Sequence, residues 1–182
     1  MALLGGTRRR FAVFLLLAGL PAASIAQGAG TSEHAVKAAF LYNFAKFVEW
    51  PEGTFRSPGE PLAFCVLAEG SFGNELERTV AGKTVAGRPV TVRRLSQLAG
   101  LDKCHILFVG ASESPRFDQI LAAVGERPVL TVGEEEGFTR AGGIISFVVR
   151  SSRVRFLIDR ETAGRAGLRL SSRLLELAEE GP

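Results

Sequence analysis

From residue 33 onward, apolar positions recur with two different periods, and the alternation between those periods sketches the fold. Thr31-Ser32 is a helix-start signal, and residues 33–50 run without Gly or Pro until Pro51, so a helix is predicted there. Val36, Phe40, Phe44, Phe47 and Val48 form one stripe at helical spacing, while Leu41, Tyr42 and Ala45 add a second apolar surface beside it. One buried face needs less than this. The excess is either core or a surface that meets another protein, since exposed aromatic patches mark interaction sites.

Short apolar runs with β character then alternate with helical stretches. Strands are predicted at residues 62–67, 90–92, 106–109 and 128–132. Helices are predicted at residues 71–80 and 114–124, the latter with Pro115 in its first turn, and a short helical link at 96–101. This order predicts an α/β fold, a mostly parallel sheet flanked by helices on both faces. Residues 144–149 and 154–158, joined by Arg150-Ser151-Ser152-Arg153, predict a C-terminal antiparallel hairpin. A final helix is predicted at 161–180, with Ala166, Leu170, Leu174 and Leu177 on its buried stripe. Gly164 and Gly167 fall in its first part, and each costs about 1 kcal/mol relative to alanine, so they mark a break or a close backbone approach.

The amino terminus changes what the composition means. Arg8, Arg9 and Arg10 precede an uncharged run over residues 11–20 and then Ala22-Ala23-Ser24-Ile25-Ala26, the three parts of a signal peptide. The run is shorter than the roughly 20 residues a spanning helix needs, so residues 1–26 are read as a cleaved signal and 27–182 as one domain. Thr7-Arg8-Arg9-Arg10-Phe11 also resembles a twin-arginine signal, and the export route stays open. The chain has 22 basic and 19 acidic residues, and without those three arginines the balance is 19 to 19. The alkaline pI therefore belongs to the signal, and nucleic acid is not an expected partner.

Export also brings the two cysteines together. The periplasm oxidises thiols, so Cys65 and Cys104 are predicted to form a structural disulfide, each being read as opening a short strand of one sheet. Two histidines, His34 and His105, complete the metal-ligating inventory of this type, but no Cys-x-x-Cys or His-x-x-x-His spacing occurs and no metal is expected. No Gly-rich phosphate motif and no G-x-S-x-G is present, and His105 inside an apolar strand reads as a core residue. Glu134-Glu135-Glu136 between glycines reads as a solvated turn. No cofactor and no enzymatic activity is expected.

The segment Ala38-Ala39-Phe40-Leu41-Tyr42-Asn43-Phe44-Ala45-Lys46-Phe47-Val48-Glu49-Trp50-Pro51 resembles the opening segment of the YfiR family. Cys104-His105-Ile106-Leu107-Phe108-Val109, Val129-Leu130-Thr131-Val132-Gly133, Gly142-Gly143-Ile144-Ile145 and Gly167-Leu168-Arg169-Leu170-Ser171-Ser172-Arg173-Leu174-Leu175 resemble its later blocks, in order. The resemblance implies a periplasmic α/β protein that represses an inner-membrane diguanylate cyclase by binding its periplasmic part, lowering cyclic di-GMP and biofilm formation. It implies no catalysis, and it adds support for the Cys65–Cys104 bridge. One departure stands out: Phe156-Leu157-Ile158-Asp159 replaces the family's frequent Phe-Glu-Ile-Asn, so partner or ligand specificity is expected to differ.

Polar and aromatic residues interleave on the first helix and again in residues 156–173, as on interaction surfaces. The expected contact surface therefore comprises Tyr42, Asn43, Lys46 and Trp50 with Phe156, Leu157, Asp159, Arg165, Leu168 and Arg173. Regulation of another membrane sensor such as a histidine kinase, and carriage of a small ligand, are the alternative functions. The wide apolar helix also makes a homodimer an expectation.

Overall fold

The computed structural model describes residues 32–68, 72 and 74–179. The signal segment predicted at 1–26 lies outside the described residues. Helix α1 (Glu33–Lys46) starts where expected, with the Ser32 side chain accepting from the Ala35 amide at 3.2 Å. It ends four residues early. Phe47 leaves helical geometry, and β1 (Val48–Glu49) follows as a short strand.

The main sheet has seven strands. In chain order they are β2 (Leu62–Leu67), β3 (Thr84–Val85), β4 (Arg88–Arg94), β5 (Ile106–Val109), β6 (Leu130–Gly133), β7 (Ile145–Arg150) and β8 (Arg153–Ile158). Their spatial order is β3-β4-β2-β5-β6-β7-β8. The five strands from β4 to β7 are parallel, and β3 and β8 close the two edges in antiparallel pairs. The expected mostly parallel sheet with a terminal hairpin is what forms.

The two-residue period of the strands divides the core in two. Leu62, Phe64 and Val66 of β2 join Ile106, Phe108, Leu130 and Val132 on one face, while Cys65 and Leu67 join Leu107 and Val109 on the other. The first face is covered by α1 and α2 (Glu75–Val80), and also by the C-terminal residues Ala163, Ala166, Leu168 and Leu174. The second is covered by α3 (Phe117–Val124) and the one-turn α4 (Gly137–Arg140). Pro115 sits in a 3-10 turn, Ala111–Arg116, that leads into α3. Helices thus flank both faces.

Three expectations need correction. The core face of α1 is Lys37, Ala38, Leu41, Phe44 and Ala45, rotated from the predicted stripe, and Val36, Phe40 and Phe47 are only half-buried. Both apolar surfaces of this helix are largely consumed by packing: Phe40 and Phe44 meet Phe156 edge-on at centroid distances of 5.4 and 4.9 Å. Second, the final helix does not run through. It is α5 (Arg160–Arg165), then β9 (Arg169–Leu170), then α6 (Ser172–Glu176), and Gly167 breaks it at φ +71°, a conformation that favours glycine. Third, Cys65 lies inside β2 rather than at its start.

The disulfide itself is present. Cys65 and Cys104 are bonded with Cα atoms 5.7 Å apart, because β2 and β5 are parallel neighbours with Cys65 opposite Leu107. It crosses a sequence separation of 39 residues. Among the described residues no helix is long and apolar enough to cross a membrane.

Candidate functional site

The first helix and the C-terminal segment meet through a ribbon of their own, separate from the main sheet. Strand β1 pairs antiparallel with β9, Val48 opposite Leu170 and Glu49 opposite Arg169. The Ser171 amide donates to the Phe47 carbonyl at 2.9 Å, and Arg169 and Glu49 form an ion pair at 2.6 Å. Turning the chain at Gly167 is what brings β9 back to β1, and a Cβ at that glycine would lie 3.5 Å from Pro51. Glu49, Trp50, Pro51, Glu52, Gly167 and Arg169 line a cleft of about 340 Å³ beside the ribbon.

The expected contact residues divide into exposed and buried sets. On α1, Asn43 and Lys46 are exposed and 3.4 Å apart at Oδ1 and Nζ. Tyr42 is half-buried: its hydroxyl donates to the Thr84 carbonyl at 3.2 Å, and the Lys83 and Lys46 ammonium groups stand 4.7 and 5.5 Å from its ring centre. Cations over an aromatic face are favourable, so these side chains form one basic, aromatic patch. Trp50 belongs to the ribbon cleft instead. Its Nε1 is buried without a hydrogen-bond partner among the described residues, and its ring meets Phe55 edge-on at 6.2 Å.

Of the C-terminal set, Phe156, Leu157 and Leu168 are buried at 2, 5 and 4 % exposure. Their side chains form core rather than presenting themselves to a partner: Phe156 faces the aromatic cluster under α1, Leu157 as the next residue of β8 points to the opposite face, toward α4, and Leu168 joins the α1-side core from the segment after α5. Asp159 caps α5: its carboxylate accepts from the Thr162 amide and hydroxyl, both at 2.9 Å. Arg165 is exposed and tied to Glu161 and Thr162 at 2.9 and 2.7 Å. Arg173 is exposed on α6. Three residues of this set, Asp159, Arg165 and Arg173, can therefore contribute polar groups at the surface.

Two constellations were not legible beforehand. Lys37, only 5 % exposed, donates to Glu134 at 2.9 Å and pairs with Glu33 at 2.5 Å, while Glu134 also accepts from the Ala111 amide at 3.0 Å. Glu134 is thus not a solvated turn residue. Burial works against the charge on both groups, yet it is outweighed, for Lys37 by its hydrogen bonds to Glu33 and then Glu134 and for Glu134 by those from the Ala111 amide and then Lys37, holding the lysine pKa above and the carboxylate pKa below their ordinary values. The signal available was Lys37 itself, a charge on the helix face shared by Leu41 and Phe44.

The second is a stack on the loop between β1 and β2. Phe55 lies flat on the His105 imidazole at 4.4 Å, and the Arg88 guanidinium lies over the outer face of Phe55 at 3.8 Å. Arg88 Nη1 also donates to the carbonyls of Ser57, Pro58 and Glu60 at 2.7, 3.0 and 3.1 Å, so it clamps the loop. His105 Nδ1 accepts from the Ala63 amide at 3.0 Å. Burial first, with Arg88 adding to it against Glu60, pushes its pKa down and keeps the ring neutral. This is a packed histidine, and among the described residues no group of three His, Cys, Asp or Glu is placed to hold a metal ion.

A family model described as YfiR/HmsC-like matches residues 34–179. No curated protein matches the chain. Eight chains of solved structures match it. One is a conserved domain protein of Vibrio cholerae O1 biovar El Tor strain N16961, which superimposes with a TM-score of 0.54 at 10 % identity. The superposition covers 81 % of this chain and 59 % of that one, a likeness of fold alone.

Proposed function

The chain belongs to the YfiR/HmsC-like family, and from that premise we propose that it is a periplasmic regulatory binding protein restraining an inner-membrane diguanylate cyclase. Its action lowers cyclic di-GMP and holds back biofilm formation. The observation that carries the reading is the extent of the family match, which runs through α1, the whole sheet and the ribbon. The Cys65–Cys104 bond is consistent with an oxidising compartment.

Such a protein acts by linkage. It binds the inactive state of its partner more tightly than the active one, and a factor of 100 between the two is about 2.7 kcal/mol. The proposed contact surface is the exposed part of the expected set, Tyr42, Asn43 and Lys46 with Trp50, Asp159, Arg165 and Arg173, supported from beneath by Phe156, Leu157 and Leu168.

Cellular cyclic di-GMP in a strain lacking the gene, with and without complementation, tests the function. A rise that complementation reverses is expected. An unchanged level, with the protein demonstrably produced in the parent, rejects the cyclase and leaves another membrane sensor or a small ligand. On the same assay the Tyr42→Ala, Lys46→Ala double variant is expected to fold and to lose at least half of the repression; full repression removes this patch from the surface.

A further inference from the structure

Strand β8 is an edge of the seven-stranded sheet, and its outer side is only partly covered. Arg150 and Arg153 close a two-residue turn, so Arg155 and Leu157 are also in the hydrogen-bonded pairs with β7, and Val154 and Phe156 turn their backbone groups outward. At Phe156 the chain supplies its own partner: the Glu179 amide donates to the Phe156 carbonyl at 2.9 Å, in a parallel bridge at Leu157. Among the described residues nothing pairs with the outward groups of Val154. Exposed edges of this kind accept a further strand.

The open part of the edge adjoins a notch of about 430 Å³ whose apolar lining is Val36 and Phe40 of α1 with Val149 and Val154 of the hairpin; Arg153 and Arg155 stand at its rim, and its one carboxylate among the described residues, Glu33, is paired with Lys37. Val149 is 54 % exposed, and Leu177 is its only companion as a strongly exposed large apolar side chain among the described residues. Charge sets the occupant. Among the described residues Arg153 has no carboxylate partner and Arg155 makes only a 3.5 Å pair with Glu179; Arg140 and Arg160, neither in an ion pair among those residues, line a second notch beside the C-terminal half of β8 together with Glu136, which pairs with Arg150, and Asp159, which caps α5. A second copy of this chain fits badly, because antiparallel pairing of β8 with itself about Val154 sets Arg153 opposite Arg155 twice. Like charges directly opposite on a sheet repel.

We propose that the free edge of β8 is a docking strand for an extended, acidic segment of a protein partner. That segment adds a strand beside Val154. Its alternate residues divide between the two faces of the sheet, apolar ones into the notch under α1 and carboxylates against Arg153 and Arg155. The proposal rests on the reading of the chain as a regulatory binding protein and names a surface distinct from the Tyr42 patch.

The test is photocrosslinking in the cells the protein comes from, with a photoreactive benzoylphenylalanine in place of Val149 and, as a control, of the exposed Glu126. The expected result is a crosslink from position 149, absent at 126, to a membrane protein at a segment of alternating apolar and acidic residues. Its yield falls at least tenfold when Arg153→Glu and Arg155→Glu are added to a chain that still melts within a few degrees of the parent. A yield unchanged by the charge reversal, a crosslink only to a second copy, or none above the control overturns the proposal and leaves the arginines as guards against edge pairing. Cyclic di-GMP in the same strains separates the two readings: a charge-sensitive crosslink with no cyclic di-GMP response rejects the cyclase alone, and a response to deletion without a crosslink rejects the edge alone.

Discussion

At the residue scale, His105 shows how one side chain couples a loop to the sheet. Its Nδ1 takes the Ala63 amide, its face takes Phe55, and Arg88 seals the stack from outside while holding three loop carbonyls. Burial keeps the ring neutral, with its pKa below the ordinary 6.5. The sign follows: below pH 6.5 the unfolded chain takes up a proton that the folded chain resists, so stability falls with pH until the lowered native pKa is reached. Melting temperatures between pH 7.5 and 5.5 are expected to drop for the parent and to flatten in His105→Gln, which keeps an acceptor but does not titrate. Equal slopes in the two would place the pH sensitivity elsewhere. Glu134 enters only below its ordinary 4.5, since its native pKa is lower still.

At the element scale, α4 is a single turn held by the buried Phe138 ring and by the Thr139 amide, which donates to the Ser146 hydroxyl at 2.9 Å. Phe138 is fully buried against Phe117, edge-on at 5.0 Å, and it lies in a cradle between Gly133 at the end of β6 and Gly143 before β7. A Cβ at Gly143 would meet the ring at 2.2 Å. Gly143→Ala is therefore expected to destabilise by about 1–3 kcal/mol through overpacking. In a Phe138→Ala background, where the ring is gone, the same change should cost at least about 1 kcal/mol less. Denaturant melts of the four chains measure this coupling, and strictly additive costs would mean that the cradle is not tight. The ribbon of β1 and β9 is the other decisive element, since it converts what would have been the ends of two helices into one paired surface.

At the scale of the whole molecule, the sheet separates two cores, and the disulfide lies in the smaller one, beneath α3 and α4. Bridging residues 39 apart restricts the unfolded chain by about 4 kcal/mol in the chain-entropy model, a large share of the stability of a domain this size. The Cys65→Ser, Cys104→Ser variant is expected to lose roughly 3–4 kcal/mol in equilibrium unfolding, and reduction of the parent should reproduce most of that loss. A change under about 1 kcal/mol would show that the two cores hold the strands in register without the bond.

Much of this was legible in the sequence because it depends on local periodicity. The short unbroken apolar runs at residues 62–67 and 106–109, the alternation at 90–92, the Ser32 cap and the turn at Arg150-Ser151-Ser152-Arg153 each act within a few residues, so the α/β class, the sheet type and the hairpin follow from the chain alone. The pairing of Cys65 with Cys104 followed from their number and the predicted export. Tertiary structure decided whatever depends on contacts far apart in sequence. The break of the last helix was signalled by Gly167, but that β9 would pair with β1 required a contact across some 120 residues, as in the Arg169–Glu49 ion pair. Burial of Phe156, Leu157 and Leu168 was likewise invisible, because a residue in an interleaved polar and apolar run takes its exposure from the face its element turns inward. The open edge of β8 is a property of strand order, and strand order is set by which elements pack together, not by any one of them.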